Sequence, residues 1–151
     1  MTLKKITCTG KGNTDNNFVY SVEEGIHCEE VGDRGEEKEY TKWSFKVMMP
    51  NNINDSKWFD FEVTKVDDTI GKVTVMNHNN YSNFQGKGIP STMIKEASEE
   101  LDIKIISSSN EFPILENESR SDEATKVWKR LVTQKKARYN KEKDIYEFLN
   151  L

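Results

Sequence analysis

A glycine-containing segment, Gln85–Ser91 with the sequence QGKGIPS, offers the most specific chemistry in the chain. It lies between a predicted strand and a predicted helix. Glycines at such a junction let the backbone approach a ligand closely, and the free N–H groups of a first helical turn attract phosphate. The spacing is neither that of a P-loop nor that of a dinucleotide-binding fingerprint, because glycines that those motifs require are missing. The residues alone leave two interpretations, an anion-binding loop and an ordinary turn into a helix.

Metal and nucleophile chemistry receive little support from the sequence. Cys8, His27, Cys28 and His78 carry atoms that bind zinc, but their spacing matches no known zinc motif. His27 and Cys28 are adjacent, so they point to opposite faces of a strand. No local signature supplies a base for a cysteine nucleophile. We therefore expect no metal site, and we interpret His78 as an exposed turn residue.

Two carboxylates on a predicted strand have two interpretations. Asp60 and Glu62 alternate with Phe59 and Phe61, so both carboxylates lie on one face of the strand. A solvated strand face is the favoured interpretation, and a face that attracts and deprotonates an amine is the alternative. Arg120 is isolated in sequence; a surface ion pair is the favoured interpretation, and contact with a phosphate or a carboxylate is the alternative.

Hydrophobic periodicity predicts the elements that position these residues. Residues 1–39 are weakly patterned, with three short strands and an exposed charged loop over 32–39. Alternation then predicts an antiparallel meander, and a 3.6-residue period predicts two helices. The predicted strands cover 5–9, 18–22, 26–31, 40–47, 59–64, 70–76, 103–106, 137–139 and 145–149, the helices cover 90–101 and a segment starting near Ser119 or Ser121, and 51–56 is a turn. The fold class is α/β (α+β), a mixed, mostly antiparallel sheet with two main helices on its faces and a C-terminal hairpin.

Composition limits the class of protein. The chain has 151 residues, 34% of them hydrophobic and 32% charged, which predicts one domain over residues 1–151. No apolar run approaches the roughly 20 residues of a membrane span, and no secretory signal is evident, so a cytoplasmic protein with no membrane partner is expected. The net charge of −4 argues against a nucleic-acid partner.

Residues 85–94 (QGKGIPSTMI) resemble the coenzyme A pyrophosphate loop and following helix of the GNAT superfamily of N-acetyltransferases. Gln85 and Gly88 fill the first and fourth positions of the family motif Gln/Arg-x-x-Gly-x-Gly/Ala. The pattern Ser-x-x-Ala-x-x-Val-Trp-x-x-Leu over residues 121–131 is similar to the family's second conserved helix, Asn-x-x-Ala-x-x-Phe-Tyr-x-x-Leu. The order of elements from about Trp58 to the C-terminus also resembles the family.

This resemblance implies a ligand and a set of contacts. Acetyl-coenzyme A is the implied cosubstrate, and a primary amine of unknown identity is the acceptor; no metal is implied. Backbone N–H groups near Val75 and Met76 would stabilise an oxyanion. The polar groups of residues 107–110 suit a pantetheine arm, and capping of the strand end is the alternative. The candidate residues for binding coenzyme A are Val75, Met76, Gln85, Gly86, Lys87, Gly88, Ile89, Ser91 and Asn110.

Departures from the family pattern affect the chemistry. Pro90 stands at the sixth motif position and has no N–H to offer a phosphate. Trp128 replaces a tyrosine that protonates the departing thiolate in many members, and an indole is no usable acid at neutral pH. Lys72 falls near the place of a common glutamate. The catalytic residues are therefore left unassigned.

The sequence predicts an acyl-coenzyme A-dependent N-acyltransferase-like protein, with a non-catalytic GNAT fold or an α+β interaction module as the alternative. Two structural expectations follow. The strands that flank the first helix should separate near Met76 and Ser107, and Trp128 should be buried. We also expect that Gly88→Glu abolishes coenzyme A binding without disturbing the fold.

Overall fold

The computed structural model describes residues 2–51, 53 and 57–150, and the turn expected over 51–56 lies largely outside these ranges. Within them the chain forms eight strands and two α-helices. The strands are β1 (Lys4–Thr9), β2 (Asp15–Val31), β3 (Glu36–Met48), β4 (Phe59–Asp67), β5 (Ile70–Asn77), β6 (Lys104–Ser107), β7 (Ala137–Asn140) and β8 (Ile145–Phe148), and the helices are α1 (Ile89–Leu101) and α2 (Asp122–Thr133). Short 3₁₀ turns lie at Lys11–Asn13 and Ser82–Phe84.

The eight strands form one sheet in the order β1-β2-β3-β4-β5-β6-β8-β7. Neighbouring strands are antiparallel except β5 and β6, which are parallel and are connected through α1. A parallel pair requires such a crossover, whereas the other strands follow one another through turns or return as a hairpin. The predicted mixed, mostly antiparallel sheet with two helices and a C-terminal hairpin is confirmed.

One face of the sheet carries the hydrophobic core. Phe45 faces Phe61 across β3 and β4, and Val63 faces Val73 across β4 and β5. Helices α1 and α2 both contribute to this core and contact each other. The buried helical residues are Ile89, Met93, Ile94, Ala97, Val127, Trp128 and Leu131. Both helices therefore pack on the same face, and the expectation of helices on both faces is wrong.

Strands β2 and β3 form a longer ribbon than the sequence predicts. They pair without interruption from Val19–Met48 to Val31–Glu36, so the charged loop expected over 32–39 is reduced to a short turn. Beyond the ends of β1 and β4 the ribbon is mostly exposed, although Glu29 and Tyr40 are buried. Charged residues are tolerated there: Glu29 lies opposite Lys38 in the register, and Glu30 lies opposite Glu37.

The ribbon bends over the sheet face that lies opposite the helices. Both carboxylate oxygens of Glu29 accept the backbone N–H of Glu116, at 3.1 and 3.0 Å. Glu116 belongs to the segment that joins β6 to α2, so the ribbon and this segment meet across the face. The sheet face opposite the helices is therefore partly covered by the ribbon and by the segment that joins β6 to α2.

Candidate functional site

The glycine-containing segment forms the turn into α1, as the sequence predicts. Helix α1 begins at Ile89, with Pro90 in its first turn. Gly86 (φ 67°) and Gly88 (φ 79°) both adopt the left-handed conformation. Only glycine takes this conformation without a Cβ penalty, so the two glycines set the path of the chain between β5 and α1.

Backbone donors at this turn have no acceptor in the part of the chain that the structure describes. The first helical hydrogen bond runs from the N–H of Thr92 to the carbonyl of Gly88, at 3.2 Å. The preceding donors, the N–H groups of Gly86, Lys87, Gly88, Ile89 and Ser91, donate to no backbone carbonyl. Free N–H groups at the start of a helix attract anions, and Pro90 contributes none.

A cleft of about 310 Å³ lies beside this turn. One wall is formed by Gln85, Gly86 and Lys87, and the other by Lys11, Thr14 and Asn16. Its volume is at the lower end of the roughly 300–1,000 Å³ of ligand sites, which suits a phosphorylated group better than a whole long cofactor. Three of the predicted residues therefore line one cleft, and the N-terminal wall was not predicted.

The two walls are held together by glycine contacts. The N–H of Lys11 donates to the carbonyl of Gly86 at 3.1 Å. A Cβ atom at Gly10 would collide with the Gly86 carbonyl oxygen, and one at Gly88 would collide with the carbonyl oxygen of Thr9. The expectation that Gly88→Glu leaves the fold intact is therefore wrong, because any side chain at this position forces the N-terminal segment away.

Strand β6 pairs with β5 along its whole length, but this covers only the first half of β5. Their parallel register ends at Val73 and Ser107, whereas β5 continues beside β4 as far as Asn77. Val63 faces Val73 and Glu62 faces Val75, so Thr74 is a bulge. A bulge bends the strand and increases its twist. In the described chain no strand pairs with the β6-facing edge of β5 beyond Val73.

Val75 and Met76 lie on this second half of β5. Their side chains are half-buried, and the register with β4 places them opposite Glu62 and Phe61. Successive N–H groups of a strand point to opposite edges, so one of the two residues directs its N–H away from β4. The predicted pair therefore supplies one donor at the unpaired edge.

The three serines at the end of β6 and directly after it have hydrogen-bond partners inside the protein. Ser108 Oγ donates to the carbonyl of Val73 at 2.7 Å, and Ser107 Oγ accepts the N–H of Tyr146 at 2.8 Å. Ser109 Oγ donates to the carbonyl of Lys143. The three residues are buried, so their suggested role toward a pantetheine arm is wrong. Asn110 is exposed, and its side-chain oxygen accepts the N–H of Arg120 at 2.7 Å.

Arg120 and Asp144 form a buried ion pair that the sequence did not reveal. The Arg120 guanidinium donates to an Asp144 carboxylate oxygen at 3.0 Å, and both side chains are less than 10% exposed. The interpretation of Arg120 as a surface residue is therefore wrong. Burial opposes ionisation of Asp144, but hydrogen bonds from Tyr139, Arg120 and the N–H of Asn110 outweigh it and lower the pKa of this carboxyl well below its ordinary value.

Lys72 and Glu118 form a second buried ion pair, on the sheet face opposite the helices. Lys72 Nζ lies 2.8 Å from Glu118 Oε2, and their side chains are 1% and 0% exposed. Glu118 also accepts the N–H groups of Ser109, Ile114 and Leu115. Burial opposes its ionisation, yet these hydrogen bonds hold the pKa of Glu118 below its ordinary value. The Glu118 carboxylate therefore holds the segment after β6 in place through these hydrogen bonds.

Trp128 is completely buried, as predicted. Its ring stacks on that of Tyr146, with ring centroids 6.1 Å apart and planes inclined by 19°. The indole is therefore part of the core between α2 and the sheet. It offers neither an acid nor an exposed stacking surface to a ligand.

Asp60 and Glu62 lie on one strand face, as predicted, but both have fixed partners. Glu62 accepts hydrogen bonds from Ser44 and Lys42, each at 3.1 Å. Asp60 accepts the indole N–H of Trp58 at 2.7 Å and the amide of Asn79 at 3.0 Å. Asp60 forms no ion pair with a described residue, although Lys46 lies directly opposite it on β3. On its other side Asp60 lies opposite Asn77, the last residue of β5.

The remaining candidates are dispersed. Cys8 is buried and Cys28 is exposed, and His78 accepts the N–H of Asn80 within a turn. The described residues contain no group of three or more His, Cys, Asp or Glu side chains that would hold a metal ion. Over the same ranges no helix has the length and apolar character needed to cross a bilayer.

Comparisons with protein families, with curated proteins and with solved structures find no match to this chain. The resemblance to the GNAT superfamily therefore rests on the sequence motifs alone and stays a prediction.

Proposed function

We propose that the protein is an acyl-coenzyme A-dependent N-acyltransferase of GNAT-like fold that transfers an acetyl group to a primary amine. One observation carries the proposal. Beyond Val73, strand β5 loses its parallel partner and leads to a glycine turn with free N–H groups and a lysine-lined cleft. A glycine turn suited to phosphate and an unpaired strand edge thus lie on one continuous stretch of chain. An extended thioester ligand needs both features, one for its diphosphate and one for its carbonyl.

Each part of this stretch has a chemical task. The Lys87 ammonium and the N–H groups of Gly86 and Lys87, which line the cleft, bind the diphosphate of coenzyme A. The edge of β5 at Val75 and Met76 offers a backbone donor to the thioester carbonyl. The amine nitrogen attacks the carbonyl carbon, negative charge develops on its oxygen, and the C–S bond breaks. The amine loses one proton and the departing thiolate takes up one proton, so protons are conserved in the reaction.

The described residues include no evident acid for the thiolate. Trp128 is buried and carries no acidic proton, so the thiolate takes its proton from water. Asp60 is the carboxylate best placed to attract an ammonium group, because it forms no ion pair with a described residue and lies opposite the last residue of β5. The Lys46 side chain, opposite Asp60 on β3, lies over the Trp58 ring. We assign Asp60 to attraction of the amine, and we assign no residue as general base.

A binding module without catalysis is the second candidate. Phe112 and Ile114 are 55% and 60% exposed, although the chain that carries them is fixed by hydrogen bonds to Ser109 and Glu118. Contiguous exposed apolar patches mark protein contact surfaces, and Phe112 and Ile114 lie two residues apart on this segment. In this alternative the GNAT-like fold serves to present residues 112–114 to a partner.

Release of free thiol from acetyl-coenzyme A, measured with a panel of primary amines, distinguishes the candidates. The proposal predicts amine-dependent release by the wild type and its loss in Lys87→Glu, which places a negative charge at the cleft. Lys141→Glu is the matched control, because Lys141 is exposed and lies in the turn between β7 and β8. Binding without release for any amine would support the non-catalytic alternative.

A further inference from the structure

We infer that Lys11, from the segment after β1, and Lys87, from the turn before α1, bind one diphosphate group between them. The inference rests on the proposed function where it assigns this diphosphate to coenzyme A. It assigns Lys11 as a ligand-binding residue at a position that no sequence motif indicates. The cleft between the two walls carries the argument.

Lys11 is held against the glycine turn by its backbone and by its side chain. Its N–H donates to the Gly86 carbonyl at 3.1 Å. The Cδ and Cε atoms of Lys11 lie 3.5 and 3.6 Å from the position that a Cβ on Gly86 would occupy. The aliphatic stem therefore runs along the turn, and its ammonium group is carried to the same cleft that Lys87 lines.

The charge in this cleft is uncompensated within the described chain. Neither lysine forms an ion pair with a described residue, and none of the six lining residues is acidic. Asp15 lies between Thr14 and Asn16 in sequence, but it faces Thr9 across β1 and β2 and accepts the Thr9 hydroxyl at 3.0 Å. Asn16 is paired with Cys8 at the next register position. Its side chain therefore lies on the opposite face of the β1–β2 pair from that of Asp15.

Two neighbouring cations without acidic partners repel each other, and an anion between them removes the repulsion. A diphosphate spreads its negative charge over two linked groups, so each lysine can bind one of them. Gln85 and Thr14 add an amide and a hydroxyl, which suit phosphate oxygens and sugar hydroxyls. The volume of about 310 Å³ accommodates this part of a nucleotide-type ligand and leaves the rest outside.

Calorimetric titration with inorganic pyrophosphate and with coenzyme A tests the inference. The variants are Lys11→Ala, Lys87→Ala and the double variant, with Lys141→Ala as the exposed control. We expect each single change to weaken both ligands by about five- to tenfold, as for loss of one charge-assisted contact, and the double change to weaken them further. Lys11→Arg should retain most of the binding. Matched unfolding midpoints in urea establish that the variants are folded.

The outcomes separate this inference from the proposed function. Coenzyme A binding that is unchanged by Lys11→Ala but weakened by Lys87→Ala would overturn the role of Lys11 and leave the acyltransferase proposal standing. Pyrophosphate binding that depends on both lysines, in a protein that does not bind acetyl-coenzyme A, would support the diphosphate site and overturn the acyltransferase. Absence of pyrophosphate binding at millimolar concentration would overturn the inference itself.

Discussion

Replacing Lys72 by methionine tests whether the buried ion pair with Glu118 fixes the segment after β6. Methionine has nearly the length of lysine without its charge, so the change removes one of four hydrogen bonds to the Glu118 carboxylate. The N–H groups of Ser109, Ile114 and Leu115 still neutralise part of the buried charge. We therefore expect a loss of about 3 kcal/mol in the free energy of unfolding, the lower end of the range for a broken buried pair.

Glu118→Gln is expected to cost more than Lys72→Met. It leaves the Lys72 ammonium buried without a counter-charge, and a single amide oxygen replaces the carboxylate that accepted four donors. The expected loss is about 5 kcal/mol, a large fraction of the roughly 5–15 kcal/mol by which domains are stable. In the double variant the unpaired ammonium is gone. The loss in the free energy of unfolding of the double variant should therefore not exceed the loss in Glu118→Gln alone. This corresponds to a favourable interaction energy of about 3 kcal/mol between the two residues.

Urea denaturation at pH 7 measures these free energies, and an unchanged slope shows that the unfolded reference is the same. Lys42→Met is the control, because its ion pair with Glu62 has side chains 33% and 24% exposed. It should cost no more than about 1 kcal/mol. Losses that simply add in the double variant, or a loss below about 1 kcal/mol for Lys72→Met, would refute this account of the pair.

Two further predictions concern the core and the acid range. Trp128→Ala should lower the free energy of unfolding by about 3–5 kcal/mol in urea, and a loss below about 1 kcal/mol would contradict its burial. Burial opposes ionisation of Asp144 and Glu118, but their hydrogen bonds lower both pKa values below the ordinary 3.8 and 4.5. The unfolded chain then binds more protons, so stability should fall as the pH drops below about 4.5, and Asp144→Asn should reduce this dependence. Equal stability at pH 5 and pH 3 would contradict the prediction.

The elements that can be predicted from the sequence are those with a local apolar period. The alternation of Trp43, Phe45 and Val47 marks a strand, and the spacing of Met93, Ile94 and Ala97 marks a helix. Both periods persist because one face of each element is buried. The β2–β3 ribbon has no such period over residues 36–39 of β3, which are all exposed, and its length could not be predicted.

The parts of the site that escaped prediction depend on contacts between distant residues. Lys72 interrupts an apolar strand and thereby indicates a buried partner, but Glu118 lies 46 residues away among 26 acidic residues. Gly10 and Lys11 belong to no motif. Only the folded structure shows that the Gly86 carbonyl oxygen occupies the position of a side chain at Gly10. It also shows that Lys11 lines the second wall of the cleft.

A calorimetric titration of acetyl-coenzyme A into the wild type, Lys87→Glu and Lys141→Glu tests the central claim most directly. The account predicts saturable binding by the wild type and by Lys141→Glu, and no binding by Lys87→Glu, because reversed charge in the cleft repels the diphosphate. A wild type that shows no heat of binding at millimolar acetyl-coenzyme A would contradict the claim. Equal binding by all three proteins would place the ligand elsewhere and contradict it as well.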